Sequence, residues 1–411
     1  MPSSDDGLVD VLRMSSVSVA NGKAANIGVV GGGQLAQMLV QAANLRHVSV
    51  IVQSGSADDP AVDGATRHVV ADPIDVEGTK KLVQDCQCIT FENEWVNIDA
   101  LIPLAQQGVK FRPSLAALAP LVDKISQRQL LSDLGVPGPE WTPLTAIPTG
   151  VPRLPAGWSF PVMAKAARGG YDGKGTRVLN SIDDLAQLLR SVDASKWLLE
   201  SWVRFERELA LVASRDATGQ VRCLPLVETH QTNQVCDWVI APAVVEHAVE
   251  AMAYNVVASL LAKLDYQGVL AIEFFYGPAG LQVNEIAPRT HNSAHFSIEA
   301  CSSSQFDQQL CIASDLSVPA PALISAGALM VNLLGLPKGR ASSIEQRLSE
   351  LRRCDGFHVH WYGKELETPG RKLGHVTVLL RGVDAVSRGQ EAAMILERVR
   401  AIWPQHLANS D

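Results

Sequence analysis

The sequence predicts an α/β protein in which a parallel-sheet unit precedes a central region of antiparallel strands and a small β-rich C-terminal unit. Three stretches predict this. A strand, a glycine turn and a helix follow one another over 26–42. A glycine-rich loop joins two strands over 161–179. Two apolar strands over 269–276 and 281–287 are separated by turn residues.

The length, composition and net charge of the chain limit the class of protein. With 411 residues the chain is long enough for two or three domains. It is 47% hydrophobic and 19% charged, which is typical of a globular protein with sizeable cores. A net charge of −8 disfavours a nucleic-acid partner, whereas small anionic ligands need only a local cluster of cations.

The cysteine pattern and the hydropathy give the expected compartment. Seven cysteines occur without any C-x-x-C pair, which favours reduced, packed thiols in a cytoplasmic protein. The absence of an apolar run of about 18 residues predicts no membrane span. Residues 1–24 lack the basic start and apolar core of a signal peptide, so we expect a flexible tail, or sequence upstream of a start at Met14.

The N-terminal unit resembles a dinucleotide-binding turn but lacks one part of it. The strand over 26–30 runs into Gly31–Gly33, and apolar residues at helical spacing follow. The second strand, over 48–52, ends at Gln53 and Ser54 instead of the acidic residue that holds a ribose. A dehydrogenase is therefore disfavoured, while the helix N-terminal amides suit a phosphate or another polar ligand.

A third strand, over 88–91, brings Glu92 and Glu94 to a strand end, where α/β sheets usually bind ligands. Further along, a helix is expected over 121–137, closed by Gly135 and Pro137. The proline-rich stretch over 137–161 predicts a boundary or an exposed connection.

The glycine-rich stretch over 161–179 predicts a strand carrying Lys165, a loop, and a second strand from Thr176. It is no Walker loop, because that motif needs Gly-Lys-Ser/Thr followed by a helix. Backbone amides of such a hairpin can fold over phosphates while the lysine supplies charge. A surface hairpin without a ligand is the alternative.

After a helix over 182–192, strands are expected over 197–203, 206–215 and 221–231. If residues 277–281 connect the next two strands, Glu273 lies opposite Glu285, and opposed residues project from the same face. We call these two residues the carboxylate pair. Opposed like charges are destabilising, and magnesium is a cation commonly held by one or two carboxylates. The alternative is that one glutamate points into solvent.

The residues that follow the carboxylate pair are too polar for an ordinary strand exit. Arg289, His291, Asn292 and His295 fall within seven positions, which favours a functional site.

The C-terminal part predicts a strand over 329–335, a hairpin of 357–364 with 371–380, and a helix over 384–401. His358 and His360 are interpreted as alternating strand residues, because no third metal ligand is near them in sequence. Cations gather at the hairpin tip, where a phosphate site and a solvated turn are equally compatible with the pattern. They are Lys364, Arg371 and Lys372.

The order of these motifs resembles that of the ATP-grasp enzymes, and most closely the ATP-dependent 5-(carboxyamino)imidazole ribonucleotide synthases. The resemblance covers about residues 26–380 and rests on GGGQLAQM, the Glu92 strand end, VDKISQRQLL, GGYDGKGT, AIEFF with NEIAPRTHNSAH, and HWYGK with PGRKLGH. It implies a Rossmann-like domain at 25–120, an ATP-grasp domain with a glycine-rich flap at 121–325, a C-terminal domain at 326–411, and a homodimer.

The resemblance also implies roles for individual residues. Glu273 and Glu285 resemble the magnesium ligands, and the catalytic group comprises Arg289 and His291, which match the bicarbonate-binding residues, together with Lys364. The ATP contacts implied are Lys124, Lys165, Gly170, Tyr171, Asp172, Gly173, Lys174, Gly175, Thr176, Glu200, Ser201, Trp202, Val203, Glu208, Gln231, Asn284 and Glu285. The ribonucleotide contacts implied are Gln34, Leu35, Glu92, Tyr171, Asp172, Lys174, Asn292, Lys364, Arg371 and Lys372.

The chain departs from the family pattern at three positions. Ala36 replaces a usual glycine, and Thr229 and Gln231 stand where many relatives have Asn and His, which leaves one ATP contact open. The implied reaction carboxylates 5-aminoimidazole ribonucleotide with bicarbonate and ATP. A related formate-dependent glycinamide ribonucleotide transformylase is disfavoured by Gln34 and Asn292. A silent nucleotide-binding protein is disfavoured because the carboxylate pair and the flap glycines are present.

Overall fold

A computed structural model of the chain describes residues 26–170, 175–337, 339, 342–364 and 366–404. Within these ranges the strands form three sheets. No helix of the described residues has the length and apolarity that crossing a bilayer requires. The predicted N-terminal tail lies outside the described residues.

The first sheet is wholly parallel and has the order β3-β2-β1-β4-β5. The predicted strands over 26–30 and 88–91 are confirmed. Gln53, the residue before the last in the second strand, is fully buried, and its amide nitrogen donates to the carbonyls of Asp72 and Asp75, so it takes part in packing instead of contacting a ribose. The elements are β1 Asn26–Val30, α1 Gln34–Leu45, β2 Ser49–Ser54, β3 Arg67–Val70, α2 Val76–Val83, β4 Cys88–Phe91, α3 Ile98–Gln106 and β5 Lys110–Phe111.

The second sheet is antiparallel and has the order β6-β9-β7-β8. Its edge strand β6 lies inside the stretch that was predicted to be a boundary or an exposed connection, and within this stretch Leu144 and Ile147 are buried. The elements are α4 Leu115–Leu118, α5 Lys124–Asp133, β6 Trp141–Pro143, β7 Val162–Ala166, β8 Thr176–Leu179, α6 Ile182–Ser191 and β9 Trp197–Ser201.

The third sheet is antiparallel and continues from the central segment into the C-terminal one. Its order is β15-β14-β10-β12-β13-β16-β18-β17, with β11 beside β10. The elements are β10 Arg207–Arg215, β11 Val221–Cys223, β12 Val227–Thr232, β13 Val235–Ala241, α7 His247–Lys263, β14 Gly268–Gly277, β15 Gly280–Ala287, α8 Ser297–Ala300, α9 Gln305–Ala313, β16 Gly327–Leu334, α10 Ile344–Arg352, β17 Phe357–Trp361, β18 Lys372–Leu380 and α11 Ala385–Ile402.

Two features of this sheet differ from the sequence-based expectation. The single strand expected over 221–231 is two strands, since Pro225 between them has no N–H to donate to a ladder. Helix α7 was not predicted. It buries Val257, Leu260 and Leu261 in one core with Ile272 of β14.

The pairing of β14 with β15 contains a one-residue bulge at Asn284. The connection is shorter than the predicted 277–281, because Gly277 already pairs with Gly280. Phe274 then pairs with Val283, and Glu273 pairs with Glu285, so that Asn284 has no partner opposite it. Since the bulge adds one residue, it compensates for the shorter turn, and the predicted opposition of the two glutamates is confirmed.

Ile272 supports the carboxylate pair from the core side of β14. Replacing it with alanine should cost about 3 kcal/mol of unfolding free energy, because it removes apolar volume from a fully buried position. The midpoint of urea-induced unfolding measures this. The exposed Ile182 is a matched control, and its alanine variant should change stability by about 0.5 kcal/mol or less. Equal losses at both positions would contradict the assignment.

Candidate active site

Charged and hydrogen-bonding side chains lie together where four parts of the fold meet. These parts are the N-terminus of α1, the end of β4, the β14–β15 pair with the residues after it, and the hairpin of β17 with β18. The contacts described below join all four.

Glu92, at the end of β4, caps helix α1. Its carboxylate accepts hydrogen bonds from the backbone N–H groups of Gly33 at 2.7 Å and Leu35 at 3.2 Å. A Cβ on Gly33 would lie 2.4 Å from that carboxylate, so the glycine permits the approach. Burial raises the pKa of Glu92, although these N–H groups oppose the shift. The glycine turn was expected to offer its amides to a phosphate or another polar ligand, and here the N–H groups of Gly33 and Leu35 donate to a carboxylate of the protein itself.

The C-terminal hairpin reaches the same helix end. Lys364 Nζ donates to the Gln34 side-chain oxygen and, at 2.8 Å, to the carbonyl of Lys372. Arg371 is exposed at the tip, and Lys372 is partly buried. Lys364 therefore joins the hairpin to Gln34, the first residue of α1, and Lys372 lies next to that contact.

The carboxylate pair belongs to a row of acidic side chains on one face of the third sheet. Ala210 lies opposite Glu273, and Glu208 is two residues earlier on the same strand, so Glu208 shares this face. Lys124, at the start of α5, forms an ion pair with Glu285. The ring Nε2 of His291 lies 3.5 Å from a carboxylate oxygen of Glu273.

The two carboxylates differ strongly in acidity. Burial, with Glu285 and Glu208 nearby, raises the pKa of Glu273 to about 7. Burial would raise the pKa of Glu285 as well, but Lys124, Lys165 and His291 hold it at about 2. The side chains are 25% and 39% exposed in the open cleft, so solvent screens part of this interaction.

Lys165, on β7, belongs to a buried charge network. Its Nζ lies 2.8 Å from Glu200 Oε2 and donates to the side-chain oxygen of Asn284 at 3.1 Å. Glu200 also pairs with Arg128 at 2.6 Å. Burial lowers the pKa of Lys165, and Glu200 opposes that shift. Burial alone would raise the pKa of Glu200, but Lys165 and Arg128 hold it below its ordinary value.

The remaining residues expected at ATP flank this network. The Glu200 carboxylate is occupied by the two cations, so a nucleotide can reach only its backbone, whereas Trp202 is exposed and Ser201 and Val203 are partly so. Gln231 contacts Glu208 through a side-chain hydrogen bond. Gly170, Gly175 and Thr176 are the described residues of the predicted flap over 170–176. The predicted residues Tyr171, Asp172, Gly173 and Lys174 lie outside the described part of the chain.

Arg289 and His291 are held by neighbours at the strand exit. Arg289 Nε donates to Glu94 Oε2 at 2.8 Å, and this carboxylate raises the pKa of the guanidinium against the lowering effect of burial. The N–H of Ser293 donates to His291 Nδ1 at 3.3 Å. The hydroxyl oxygen of Ser293 lies 2.9 Å from the same ring nitrogen, so the two groups of Ser293 fix the orientation of the ring.

Asn292 and His295 are buried beside this exit. The Asn292 amide forms a reciprocal pair with the amide of Asn332, at 2.9 Å and 2.8 Å, which leaves one amide hydrogen and one oxygen lone pair for a ligand. The ring of His295 contacts that of His375 in a tilted arrangement, with 4.9 Å between the ring centroids, and His375 stacks against His360. His360 Nε2 contacts Glu299 at 2.6 Å, whereas His358 is exposed.

Several residues that hold the site were not predicted. Arg128 could have been found from its i,i+4 spacing with Lys124 on one helix face. Gln305 accepts from the N–H of His291 at 2.7 Å and donates to its carbonyl at 2.8 Å. No sequence signal indicates Gln305 or Asn332, because each acts through a contact between segments distant in the chain.

The donor set of the carboxylate pair suits magnesium. Its oxygens are the hard ligands that this ion prefers, and two carboxylates leave positions for water and phosphate oxygens. In the described part of the chain no cluster of three or more His, Cys, Asp or Glu side chains could hold a metal alone. The pair therefore fits a metal that arrives with a nucleotide better than a permanently enclosed one.

The fold and this site define an ATP-grasp enzyme. A family model for the ATP-grasp domain matches residues 129–306, and one for the ribonucleotide synthetase preATP-grasp domain matches residues 24–121. A third, for the phosphoribosylaminoimidazole carboxylase C-terminal domain, matches residues 328–388.

Relatives and solved structures narrow the class. The N5-carboxyaminoimidazole ribonucleotide synthase of Synechococcus elongatus is 46% identical over 94% of this chain and 98% of its own length. The carboxyaminoimidazole ribonucleotide synthase of Aspergillus clavatus complexed with ATP is 30% identical, with a TM-score of 0.82 over 93% of this chain and 99% of its own. The same fungal enzyme with ADP and 5-aminoimidazole ribonucleotide is 29% identical, with a TM-score of 0.79 over 92% and 98%. The chain belongs to the N5-carboxyaminoimidazole ribonucleotide synthase family, which confirms the resemblance.

The raised pKa of Glu273 predicts a pH-dependent stability without metal. The pKa of this carboxyl is about 7 in the folded protein, against an ordinary 4.5 in the unfolded chain. Because ionisation is less favourable in the folded state, the free energy of unfolding falls as pH rises between these values. Replacing Glu273 with glutamine should raise the melting temperature at pH 8 by roughly 2 °C and change it little at pH 5. Melting in EDTA at both pH values measures this. An equal shift at both would contradict the origin in ionisation.

Proposed function

We propose that this chain carboxylates 5-aminoimidazole ribonucleotide with bicarbonate and ATP, forming N5-carboxyaminoimidazole ribonucleotide, ADP and phosphate in purine biosynthesis. One observation carries the proposal most: Lys372 of the cationic hairpin lies close enough to Glu273 of the carboxylate pair for its charge to lower the pKa of that carboxyl. Arg289 and His291 lie next to the pair. Two anionic substrates can therefore meet across one small group of residues.

The ATP side comprises α5, the second sheet and the carboxylate pair. Lys124 and Lys165 supply positive charge for the phosphates, and the backbone after Glu200 lies where an adenine can be read. Glu273 and Glu285 would hold magnesium, which when bound neutralises charge on the phosphates during transfer. Glu208 shares their face and is a candidate for the ribose hydroxyls.

The ribonucleotide side comprises the end of α1 and the C-terminal hairpin. Arg371 and Lys372 are placed to bind its phosphate, and Lys364 bridges towards Gln34. Glu92 lies beneath this helix end, where a carboxylate can accept from a ribose hydroxyl or an amine. Leu35 and Asn292 border the same space.

The first half-reaction joins bicarbonate to phosphate. A bicarbonate oxygen attacks the γ-phosphorus of ATP, the bond to ADP breaks, and carboxyphosphate forms. Arg289 would bind the bicarbonate anion, because its guanidinium is held in place by Glu94. Lys165 lies ready to neutralise charge on the transferred group.

The second half-reaction transfers the carbon of bicarbonate to the ribonucleotide. Carboxyphosphate breaks into carbon dioxide and phosphate, the exocyclic amine of the ribonucleotide forms a C–N bond to the carbon, and the amine proton passes to the departing phosphate or to water. Exclusion of water protects the intermediate. His291, whose ring Nε2 lies 3.5 Å from a carboxylate oxygen of Glu273, is the candidate for proton handling at this step.

Further properties extend this proposal. The chain divides into domains at 25–120, 121–325 and 326–411, forms a homodimer, and works in the cytoplasm. Seven free cysteines, four of them buried, accord with a reducing compartment. Sedimentation of the purified chain measures the oligomeric state.

An assay of substrate dependence tests the activity. Purified protein with magnesium and ATP should release phosphate only when both bicarbonate and 5-aminoimidazole ribonucleotide are present. Formate with glycinamide ribonucleotide is the comparison that would support the transformylase instead. Phosphate release at the same rate with and without the ribonucleotide would refute the carboxylation.

Two variants separate the halves of the site. Glu285→Ala should lower ATP turnover to about 1% or less, because it removes a metal ligand and the partner of Lys124. Arg371→Ala should raise the KM for the ribonucleotide by about 10- to 100-fold and leave the KM for ATP nearly unchanged. Initial rates against each substrate measure both. Arg381→Ala, at the other end of β18, is the matched control, and a change there equal to that of Arg371→Ala would contradict the phosphate site.

A further inference from the structure

Arg128 is a buried arginine that the mechanism above does not use. It lies on α5 one turn after Lys124, and its side chain is only 6% exposed. Lys124 and Arg128 at positions i and i+4 share a helix face. That face is turned towards β15, which carries Asn284 and Glu285.

The guanidinium of Arg128 makes three contacts. Nε donates to Glu200 Oε1 at 2.6 Å, one terminal nitrogen donates to the carbonyl of Val283 at 2.8 Å, and the other donates to the carbonyl of Asn284 at 2.7 Å. A planar fork can meet one carboxylate and two carbonyls at once, which an ammonium cannot do with fixed geometry.

The two carbonyls belong to the bulge. Asn284 is the residue without a partner opposite it on β14, and Val283 is the last paired residue before it. β15 is also the edge strand of the third sheet, so its outward carbonyls have no neighbouring strand. The adjacent Gln127 binds β15 beyond the bulge, since its Nε2 donates to the carbonyl of Ile286 at 3.0 Å.

The bulge decides where Glu285 points. Because side chains alternate along a strand, a register without the extra residue would turn Glu285 to the opposite face from Glu273. The residue that fixes the bulge therefore fixes the opposition of the two carboxylates.

We propose that Arg128 is a positioning residue for the metal and phosphate site: by binding the carbonyls of Val283 and Asn284 it holds the bulge that sets Glu285 opposite Glu273. Through Glu200 the same guanidinium is tied to Lys165. One side chain thus links the metal-binding strand to the phosphate-binding lysine. The proposal rests on the proposed function of the carboxylate pair.

The test compares Arg128→Lys with the parent protein in two measurements. In the metal-free protein, hydrogen exchange of the peptide covering 281–287 should quicken at least tenfold, while exchange over β18 stays unchanged. In electron paramagnetic resonance titrations, the affinity for Mn²⁺ with ADP should fall about tenfold. In kinetics, the KM for the ribonucleotide should stay within twofold of the parent value.

Arg347→Lys is the matched control. Arg347 is equally buried and donates to both oxygens of Glu367 at 2.7 Å and 2.9 Å, but it lies in the C-terminal segment. Its replacement should lower the melting temperature and leave Mn²⁺ affinity and exchange over 281–287 unchanged. Changes in both properties equal to those of Arg128→Lys would overturn the proposal, since general loosening would then explain them.

Glu285→Gln separates the proposal from the function on which it rests. If Glu285→Gln leaves Mn²⁺ affinity unchanged, the metal assignment of the carboxylate pair is wrong. If Glu285→Gln abolishes that affinity while Arg128→Lys has parent-like affinity and exchange, only the positioning role is wrong. Loss of affinity in both variants, with faster exchange in Arg128→Lys, supports both.

Discussion

The site depends on keeping two carboxylates opposed on one face of a sheet. Such a pair is unfavourable by itself, and the fold offsets it with two lysines and an imidazole from elements distant in sequence. Lys124 comes from the start of α5, Lys165 from the second sheet, and His291 from the residues after β15. The result is asymmetric, since the pKa of Glu285 is about 2 and that of Glu273 about 7. A cation arriving with a nucleotide would relieve the remaining repulsion.

Helix α5 organises this arrangement. Asp123 caps its N-terminus by accepting from the N–H of Ile125 at 3.0 Å, which sets where the helix begins. The exposed edge of β15 is then covered by Gln127 and Arg128, while Lys124 reaches the carboxylate pair. One helix face both closes a sheet edge and builds a site, so packing and chemistry are coupled here.

The N-terminal sheet shows how a common turn can serve another purpose. Its glycines and helix resemble a dinucleotide site, yet a side chain of the same protein occupies the amides at the helix end. Glu92 thereby joins β4 to α1, and the cationic hairpin docks on the same helix end through Lys364 and Gln34. Backbone amides at this helix end are thus engaged by a carboxylate of the protein itself, and the lysine that meets the helix end comes from the C-terminal segment.

The sequence alone determined the features that depend on local pattern. Strand periodicity and turn residues predicted the opposition of Glu273 and Glu285, the strand of Lys165 and the cationic hairpin, and the motifs predicted the family. Tertiary structure decided what depends on distant contacts. The turn between β14 and β15 is shorter than predicted, and the bulge at Asn284 keeps Glu273 opposite Glu285. The carbonyls at the bulge meet Arg128 because α5 lies along β15. The N–H groups of the glycine turn donate to Glu92 because β4 ends beside α1. The Asn292 amide pairs with that of Asn332, which lies 40 residues later in the chain. Periodicity reports which face a residue occupies, but it does not report which distant group meets it there.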